Sequence, residues 1–499
     1  MEFLASSARE RALLSPAAMA VADQRAIDAG TPRGTLVSRA ARACFRILRS
    51  QFTRRPVTVL CGPGNNGEDG LMLAALLAEA DWPLTVVDLD GASHDDHATK
   101  RSLASHLRPS GTFFPKSEML VVDALFGAGL TRAITGEAAA LVQRVAESDA
   151  KVLAMDLPSG LDGATGQVRG VAAPADVTVT FHRLKPGHLL EAGPALCGRV
   201  FLCDIGIAAQ DDDATALWND PLLWADAITA IPRDIHKYAR GHTVVIGGPG
   251  LRGGAGRLAA RAASVSGAGA VTYFTPVSAA QFAASQFDAV MVRSLTHREA
   301  LDDFLRERAT SVVIGPGLGH SERARDLLDA VLGSGLPCVL DADALTLDEA
   351  SPDNLYAKLH DACVLTPHEG EFARLFAGLS GDKLSRTQEA SSRAGATVLL
   401  KGPATVIAKP DACPVINTHS APELATAGSG DVLAGLIGGF LSQGHGPLRA
   451  ASAGAWIHGA AAQGAGPGLN AEALPSRIAD VLSRAVSVIS EPLKQLSIL

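Results

Sequence analysis

Residues 57–77 read VTVLCGPGNNGEDGLMLAALL, and the order inside that stretch decides the fold. An apolar, mostly β-branched run (57–60) meets a turn holding four glycines (61–70), and apolar residues at helical spacing follow. Strand, glycine-rich turn, helix is the opening of a βαβ unit. Such a turn lies at the carboxyl end of a parallel strand, where backbone N–H groups and the helix N-terminus favour phosphate. A turn that needs glycine only for its own tight geometry is the alternative, and this stretch alone leaves both open.

The same order recurs outward from it. LTVVDL (84–89), MLVVDAL (119–125), VLAMDLPSG (152–160) and VTVTF (177–181) are short β-branched runs, separated by alanine-rich segments such as LMLAALLAEA (71–80). They predict a parallel sheet covered on both faces. After residue 207 the sequence AAQDDDATALWNDPLLWADAITAIPRDIHKYARG brings an acid run, two prolines and no long periodic segment, so an exposed linker is expected near 210–235. Alternation resumes with TVVIGG (243–248), AVTYF (270–274), SVVIGPG (311–317), CVLDAD (338–343), CVLTPHEG (363–370), TVLLKG (397–402) and TVIAK (405–409). A chain of 499 residues exceeds the size of one growing core, so two α/β domains are expected, 1–215 and 225–499.

Composition narrows the classes of function. Net charge is −8, which opposes broad binding to nucleic acid or acidic membranes. No run of about 18 apolar residues predicts a membrane span, and the N-terminus is not expected to be a signal peptide. Seven cysteines (Cys44, Cys61, Cys197, Cys203, Cys338, Cys363, Cys413) are scattered without CxxC spacing, so the sequence indicates neither a zinc site nor a disulfide framework. A reducing cytoplasm is the expected location.

Polar groups gather at the predicted strand ends. VVDALFGAGL puts Asp123 there, and AMDLPSGLDG puts Asp156 and Ser159 there. Carboxyl ends of neighbouring parallel strands converge on one crevice, so Asn66, Asp123 and Ser159 are candidates to offer three oxygens to one hard cation, leaving Asp156 free for chemistry. In the second half TAGSGDVLAGLIGGFLSQG (426–444) is a small-residue turn that ends in Asp431 and opens an apolar helix. Such a turn aims amides at a phosphoryl group and holds a carboxylate beside it. Simple N-capping by Asp431 is the alternative, and it leaves the small residues unexplained. IGPGLG (314–319), DADAL (341–345), LTPHEGE (365–371) and LLKGPATVI (399–407) stand around it.

Together GPGNNGEDG, VVDALFGAG, DLPSGLDG and TFHRLKPGHL resemble the YjeF-type N-terminal domain, the NAD(P)H-hydrate epimerase, over roughly residues 13–208. The resemblance implies a Rossmann-like three-layer domain that interconverts the R and S forms of hydrated NAD(P)H, with K+ near the substrate. It implies that Asn65, Asn66, Gly67, Glu68 and Asp69, with Gly127, Ala128, Gly129, Leu130, Thr131, Arg132 and Ala133, hold the dinucleotide. It further implies that Asn66, Asp123 and Ser159 bind K+ and that Asp156 faces the reacting ring. This chain departs from the family's usual GGDG at Glu68, and from LMENAG-like wording at LVSRAARA. A Glu forced to positive φ would be strained by about 1 kcal/mol or more. Its carboxylate would also repel a pyrophosphate unless it turned outward. Lys185 and His188 are read either as substrate contacts or as groups that cap or solvate a loop.

HKYARGHTVVIGG, GGAGRLAARAA, GPGLG, TPHEGE and GSGDVLAG resemble the ribokinase-like superfamily, and within it the ADP-dependent NAD(P)H-hydrate dehydratases, over about residues 236–490. The resemblance implies that Ala255, Gly317, His368 and Asp431 contact the hydrated dinucleotide. Lys401, Gly402, Pro403, Ala404, Thr405 and Gly430 would contact the adenine nucleotide, which brings Mg2+ with it. Glu369 replaces the proline of the more usual TPHPGE. His368 also suits a helix cap. The two resemblances together imply a bifunctional repair enzyme acting on NADHX and NADPHX, with Asp431 as general base, expected as a homo-oligomer. Two alternatives stay open: a vitamin or sugar-alcohol kinase fused to a dinucleotide-binding domain, and a dinucleotide-sensing or scaffold module.

Overall fold

The computed structural model describes residues 11–89, 97–208, 214–225, 228 and 236–484. Its contacts divide into two units, Met1–Leu217 and Trp218–Leu499. The first begins with β1 (Ala12–Leu13), followed by β2 (Val57–Cys61), β3 (Leu84–Asp88), β4 (Leu120–Ala124), β5 (Lys151–Met155), β6 (Val177–Phe181) and β7 (Arg199–Cys203). β2 to β7 form a parallel sheet in the order β3-β2-β4-β5-β6-β7.

Period-two alternation explains its three layers. Val59, Val122 and Leu153 pack on one face with Ala41, Leu48, Leu73 and Leu77. Leu60, Val121 and Val152 pack on the other with Leu141 and Val145. Both faces are therefore apolar, as a sheet covered by helices on each side requires. Strand order reverses between β2 and β4, so the loops after these two strands open a crevice between them.

β8 (Ala216–Trp218) pairs antiparallel with β1, Leu13 opposite Ala216. The division between the units falls inside β8. Residues 209–213, which hold the acid run, and 226–227 and 229–235, which hold Pro232, lie outside the described residues. What is described between them is packed: Trp224 is fully buried, stacks at a tilt 5.5 Å from Trp456, and donates its indole N–H to Asn219 Oδ1 at 3.0 Å. Asn219 in turn donates to Asn417 Oδ1 and the Ser452 carbonyl. Asn219 and Trp224 thus belong to the second unit's interior, ahead of the expected start at 225.

The second unit is built on β9 (His242–Ile246), β10 (Ala270–Pro276), β11 (Met291–Leu295), β12 (Ser311–Ile314), β13 (Cys338–Leu340), β14 (Cys363–Leu365), β15 (Thr397–Leu400), β16 (Thr405–Ala408) and β17 (Val415–Asn417). Their order is β17-β16-β15-β14-β13-β12-β9-β10-β11, parallel except at β16, which pairs antiparallel with both β15 and β17. The order reverses between β9 and β12, a second switch point. The helix Ser429–Ser442 lies against the helix Gly253–Val265 so closely that a Cβ at Gly435 would sit 2.0 Å from the Ala259 carbonyl oxygen.

Candidate functional site

The glycines at 61–70 divide by purpose. A Cβ on Gly62 would sit 1.8 Å from the Leu125 carbonyl oxygen, and one on Gly67 would sit 1.8 Å from that of Gly62. These glycines let the helix Asn65–Glu79 seat on its strand. Gly64 and Gly129, by contrast, have nothing within 4 Å and border a cavity of about 500 Å³. Packing and an open ligand face are both present in one loop.

Asn65, Asn66, Asp69, Gly127, Ala128, Gly129, Leu130, Thr131, Arg132, Asp156 and Lys185 line this cavity. Gly67, Glu68 and Ala133 do not. Glu68 is helical and absent from the residues with positive φ, so the condition for strain is not met. Its carboxylate pairs with Arg33, which also donates to Asn65 Oδ1 at 3.0 Å, so the extra acid is balanced by a cation at the cavity edge.

Asp156 stands at the carboxyl end of β5 with φ 65°, a costly conformation for a non-glycine residue. Its surroundings hold it there. Lys185 Nζ donates to Asp156 Oδ1 at 2.6 Å, the Thr180 hydroxyl to the same oxygen at 2.9 Å, and the Ala128 N–H to Oδ2 at 2.9 Å. Burial pushes the carboxyl up, yet the Lys185 charge and these bonds outweigh it and bring the pKa down to about 2. His188, fully buried, is brought down to about 4 by burial and the nearby Lys185 charge, so it is neutral. Its Nδ1 accepts the Lys185 N–H at 3.0 Å, which leaves Nε2 to donate to the Asp156 carbonyl at 2.9 Å. Lys185 is therefore a buried partner of Asp156, not a solvated loop residue. Asp23, which no motif marked, also lines the cavity, and burial raises its carboxyl. Burial, then Glu68, Asp156 and Asp23, raise that of Asp69.

Asp123 and Ser159 are joined behind the cavity: the Ser159 hydroxyl donates to Asp123 Oδ1 at 2.5 Å and its N–H to Oδ2 at 2.7 Å. Burial pushes the Asp123 carboxyl up, and these bonds with the Leu125 N–H only partly offset it. Among the described residues no cationic side chain pairs with Asp123. Asn66 lies beside Gly127 near Asp156, with its carboxamide carbon and Asp156 Oδ2 at 3.3 and 3.0 Å from the position a Cβ on Gly127 would take. The Asn66 Nδ2 is buried without a partner. Oxygen donors around a buried, uncompensated carboxylate suit a hard monovalent cation.

In the second unit Asp431 lies in the first turn of the helix Ser429–Ser442, behind Gly428 at φ 89°. First-turn amides have no intrahelical acceptor, so they face outward with the helix dipole. Lys401 Nζ bonds Asp341 Oδ1 at 2.9 Å and lies 3.9 Å from Glu371 Oε2. Burial, then Asp341, Asp343 and Glu371, push the Asp431 carboxyl up to about 7 against the pull of Lys401. A carboxylate poised there is matched to base catalysis near neutral pH.

Lys401, Gly402, Pro403, Thr405 and Gly430 line a cavity of about 600 Å³; Ala404 is buried and does not line it. Ala255 and Gly317 meet, the Ala255 Cβ lying 3.5 Å from the position of a Cβ on Gly317. His368 caps the helix Glu369–Leu375: its Nδ1 accepts the Gly370 N–H at 2.9 Å, and Glu371 Oε2 accepts the His368 N–H at 2.8 Å. Sequence reasoning quoted DADAL and TPHEGE without assigning Asp341 or Glu371, although each sits at a strand end or helix start where such groups gather.

Two α/β units, one with a dinucleotide-sized crevice at a strand switch point and one with an anion-binding helix start beside a base, define a two-site nucleotide-processing enzyme. The comparisons agree. Residues 33–187 match the YjeF-related protein N-terminus family, and residues 243–484 match the NAD(P)H-hydrate dehydratase family. The bifunctional NAD(P)H-hydrate repair enzyme Nnr of Coxiella burnetii is 35% identical over 456 residues, covering 88% of this chain and 92% of that one. The enzyme of the same name from Escherichia coli is 35% identical, covering 86% and 84%. The crystal structure of the ADP/ATP-dependent NAD(P)H-hydrate dehydratase from Bacillus subtilis, co-crystallised with ATP/Mg2+, is similar at 26% identity and a TM-score of 0.47, covering 55% of this chain and 98% of that one. The chain belongs to the family of bifunctional NAD(P)H-hydrate repair enzymes, carrying an epimerase half and a dehydratase half.

Proposed function

We propose that the first unit epimerises the hydrate at the Asp156 carboxylate and that the second dehydrates the S form at Asp431. The observation that carries the reading is Asp431, titrating at about 7 at a helix start. Hydroxide leaves the hydrated ring poorly, so the ring hydroxyl must first become a phosphate ester. Asp431 takes the proton of the C6 hydroxyl as its oxygen attacks the terminal phosphorus of ADP, and the bond to AMP breaks. The amides of Gly430 and Asp431 spread the developing charge, to which the Mg2+ brought with ADP would add. Phosphate then leaves with the C6–O electron pair as the ring nitrogen pushes electrons in, and loss of a C5 proton gives NAD(P)H. Lys401, Gly402, Pro403, Thr405 and Gly430 hold the adenine nucleotide, and Ala255, Gly317 and His368 the hydrated ring's dinucleotide.

In the first unit the dinucleotide lies along Asn65, Asn66, Asp69 and residues 127–132. Asn66, Asp123 and Ser159 would hold K+, whose charge would offset buried Asp123; that no cationic side chain pairs with Asp123 among the described residues supports this assignment. Lys185 keeps Asp156 ionised to accept a proton at the reacting ring. The enzyme acts in the cytoplasm as a homo-oligomer. Among the described residues no helix is long and apolar enough to cross a membrane.

Incubating the protein with a racemic hydrate mixture and ADP, while following the absorbance of reduced nicotinamide, tests both activities. Complete single-phase recovery is expected. A stable phosphorylated alcohol accumulating in place of NAD(P)H would favour the kinase alternative.

A further inference from the structure

Cys338 and Cys363 open β13 and β14, the strand ends opposite those that carry Asp341 and Pro367. The two strands are parallel neighbours with Cys338 in register with Cys363, so both side chains fall on one face. Their sulfurs lie 3.5 Å apart and both residues are fully buried as free thiols. His360 joins them from the turn before β14, closed by the Cys363 N–H donating to the His360 carbonyl at 2.9 Å. One imidazole nitrogen and the two sulfurs all lie within 4.8 Å of one another, the one such group of His, Cys, Asp or Glu found among the described residues. The Nε2 of His360 is buried with no hydrogen-bond partner.

We propose that Cys338, His360 and Cys363 bind one Zn2+ ion, which ties the amino ends of β13 and β14 to the turn between them. Two thiolates and an imidazole form a borderline-soft set that suits zinc over the hard cations of the catalytic sites. Two sulfurs on one tetrahedral zinc at about 2.3 Å stand roughly 3.8 Å apart, close to the spacing found, whereas a disulfide would bring them to about 2.05 Å. Water takes the fourth position on the half-exposed His360 side, and the thiol protons pass to solvent as the ion binds. The sequence spacing gave no sign of this set, because 25 residues separate the two cysteines.

The test uses the full chain stripped of metal with a chelator and titrated with Co2+ alone. A thiolate-to-cobalt charge-transfer band saturating at one equivalent, and bleached by one equivalent of Zn2+, is expected. His360→Gln, in a surface turn, and Cys338→Ala should each weaken Co2+ binding by at least roughly tenfold while dehydratase rates stay at the parental level. If Cys338→Ala does not fold, His360→Gln decides. No charge-transfer band in the parent, an undiminished band in His360→Gln, or a parent that stays two hydrogens light as a Cys338–Cys363 disulfide when handled without oxidant would each overturn the proposal.

Discussion

Lys185 Nζ stands 2.6 Å from Asp156 Oδ1 with its side chain 2% exposed, and the pair lies at the inner end of the first unit's cavity. A buried lysine of this kind is retained only if its charge is matched. The carboxylate it matches is the one whose backbone is strained, so position and ionisation of Asp156 depend on the same partner.

Replacing Lys185 by Met should therefore abolish epimerisation and destabilise the first unit by about 3–5 kcal/mol, because Asp156 is left buried and unpaired. Lys185→Met combined with Asp156→Asn should recover part of the stability and none of the activity. The Asp156 pKa of about 2 lies below its unfolded value near 3.8, so its stabilisation is present above pH 4 and lost as pH falls toward 2. Thermal unfolding against pH, for parent and variants, reads this loss. An unchanged midpoint in Lys185→Met would contradict the pairing argument.

Asp431→Asn should slow dehydration by about 10²-fold or more while ADP binding changes little. In the parent the rate should rise with pH through about 7 and then level, as the base ionises, and the variant should lose that rise. The raised pKa also has a sign for stability. The folded state favours the protonated acid, so the cost of ionising it is absent below pH 4 and grows until about pH 7. The variant should accordingly melt higher than the parent at pH 8 and equally at pH 3.5.

Asp123→Ala should remove potassium dependence and epimerisation together and leave ADP-dependent dehydration at the parental rate. Rates measured with K+ replaced by a bulky organic cation check this. Potassium activation surviving in the variant would exclude Asp123 as a ligand.

We propose that the two units are separable catalysts. A fragment of residues 218–499 should dehydrate about half of a racemic hydrate quickly and the rest only at the uncatalysed epimerisation rate, a two-phase course that Asp156→Ala should reproduce in the full chain. A fragment starting at 225 loses Asn219 and the buried Trp224, so it should be less stable by about 3–5 kcal/mol, the cost of emptying an aromatic site. Calorimetry of the two fragments measures the difference. Single-phase completion by either fragment would mean that the second unit accepts both isomers.

The glycine turn at 61–70, the acids at strand ends and the GSGD helix start were legible in the sequence because each is local: a few consecutive residues encode strand, turn and helix N-terminus together. β7, β11 and β17 were not among the expected strands. β11 is an edge strand with alternating exposure and β17 has three residues, so neither presents a continuous buried run; β7, the edge strand of the first sheet, has an apolar run (200–203) but only one buried residue, Val200. The conformation of Glu68 was left open by the sequence for a related reason, since whether a turn residue is helical depends on how closely its glycines seat against the neighbouring strand. Only the tertiary structure put Lys185 on Asp156, Lys401 on Asp341, and His360 beside Cys338 and Cys363. Those meetings follow from the register of parallel strands that intervening helices separate in the chain. Periodicity reports which face a residue takes, and register decides whom it meets there.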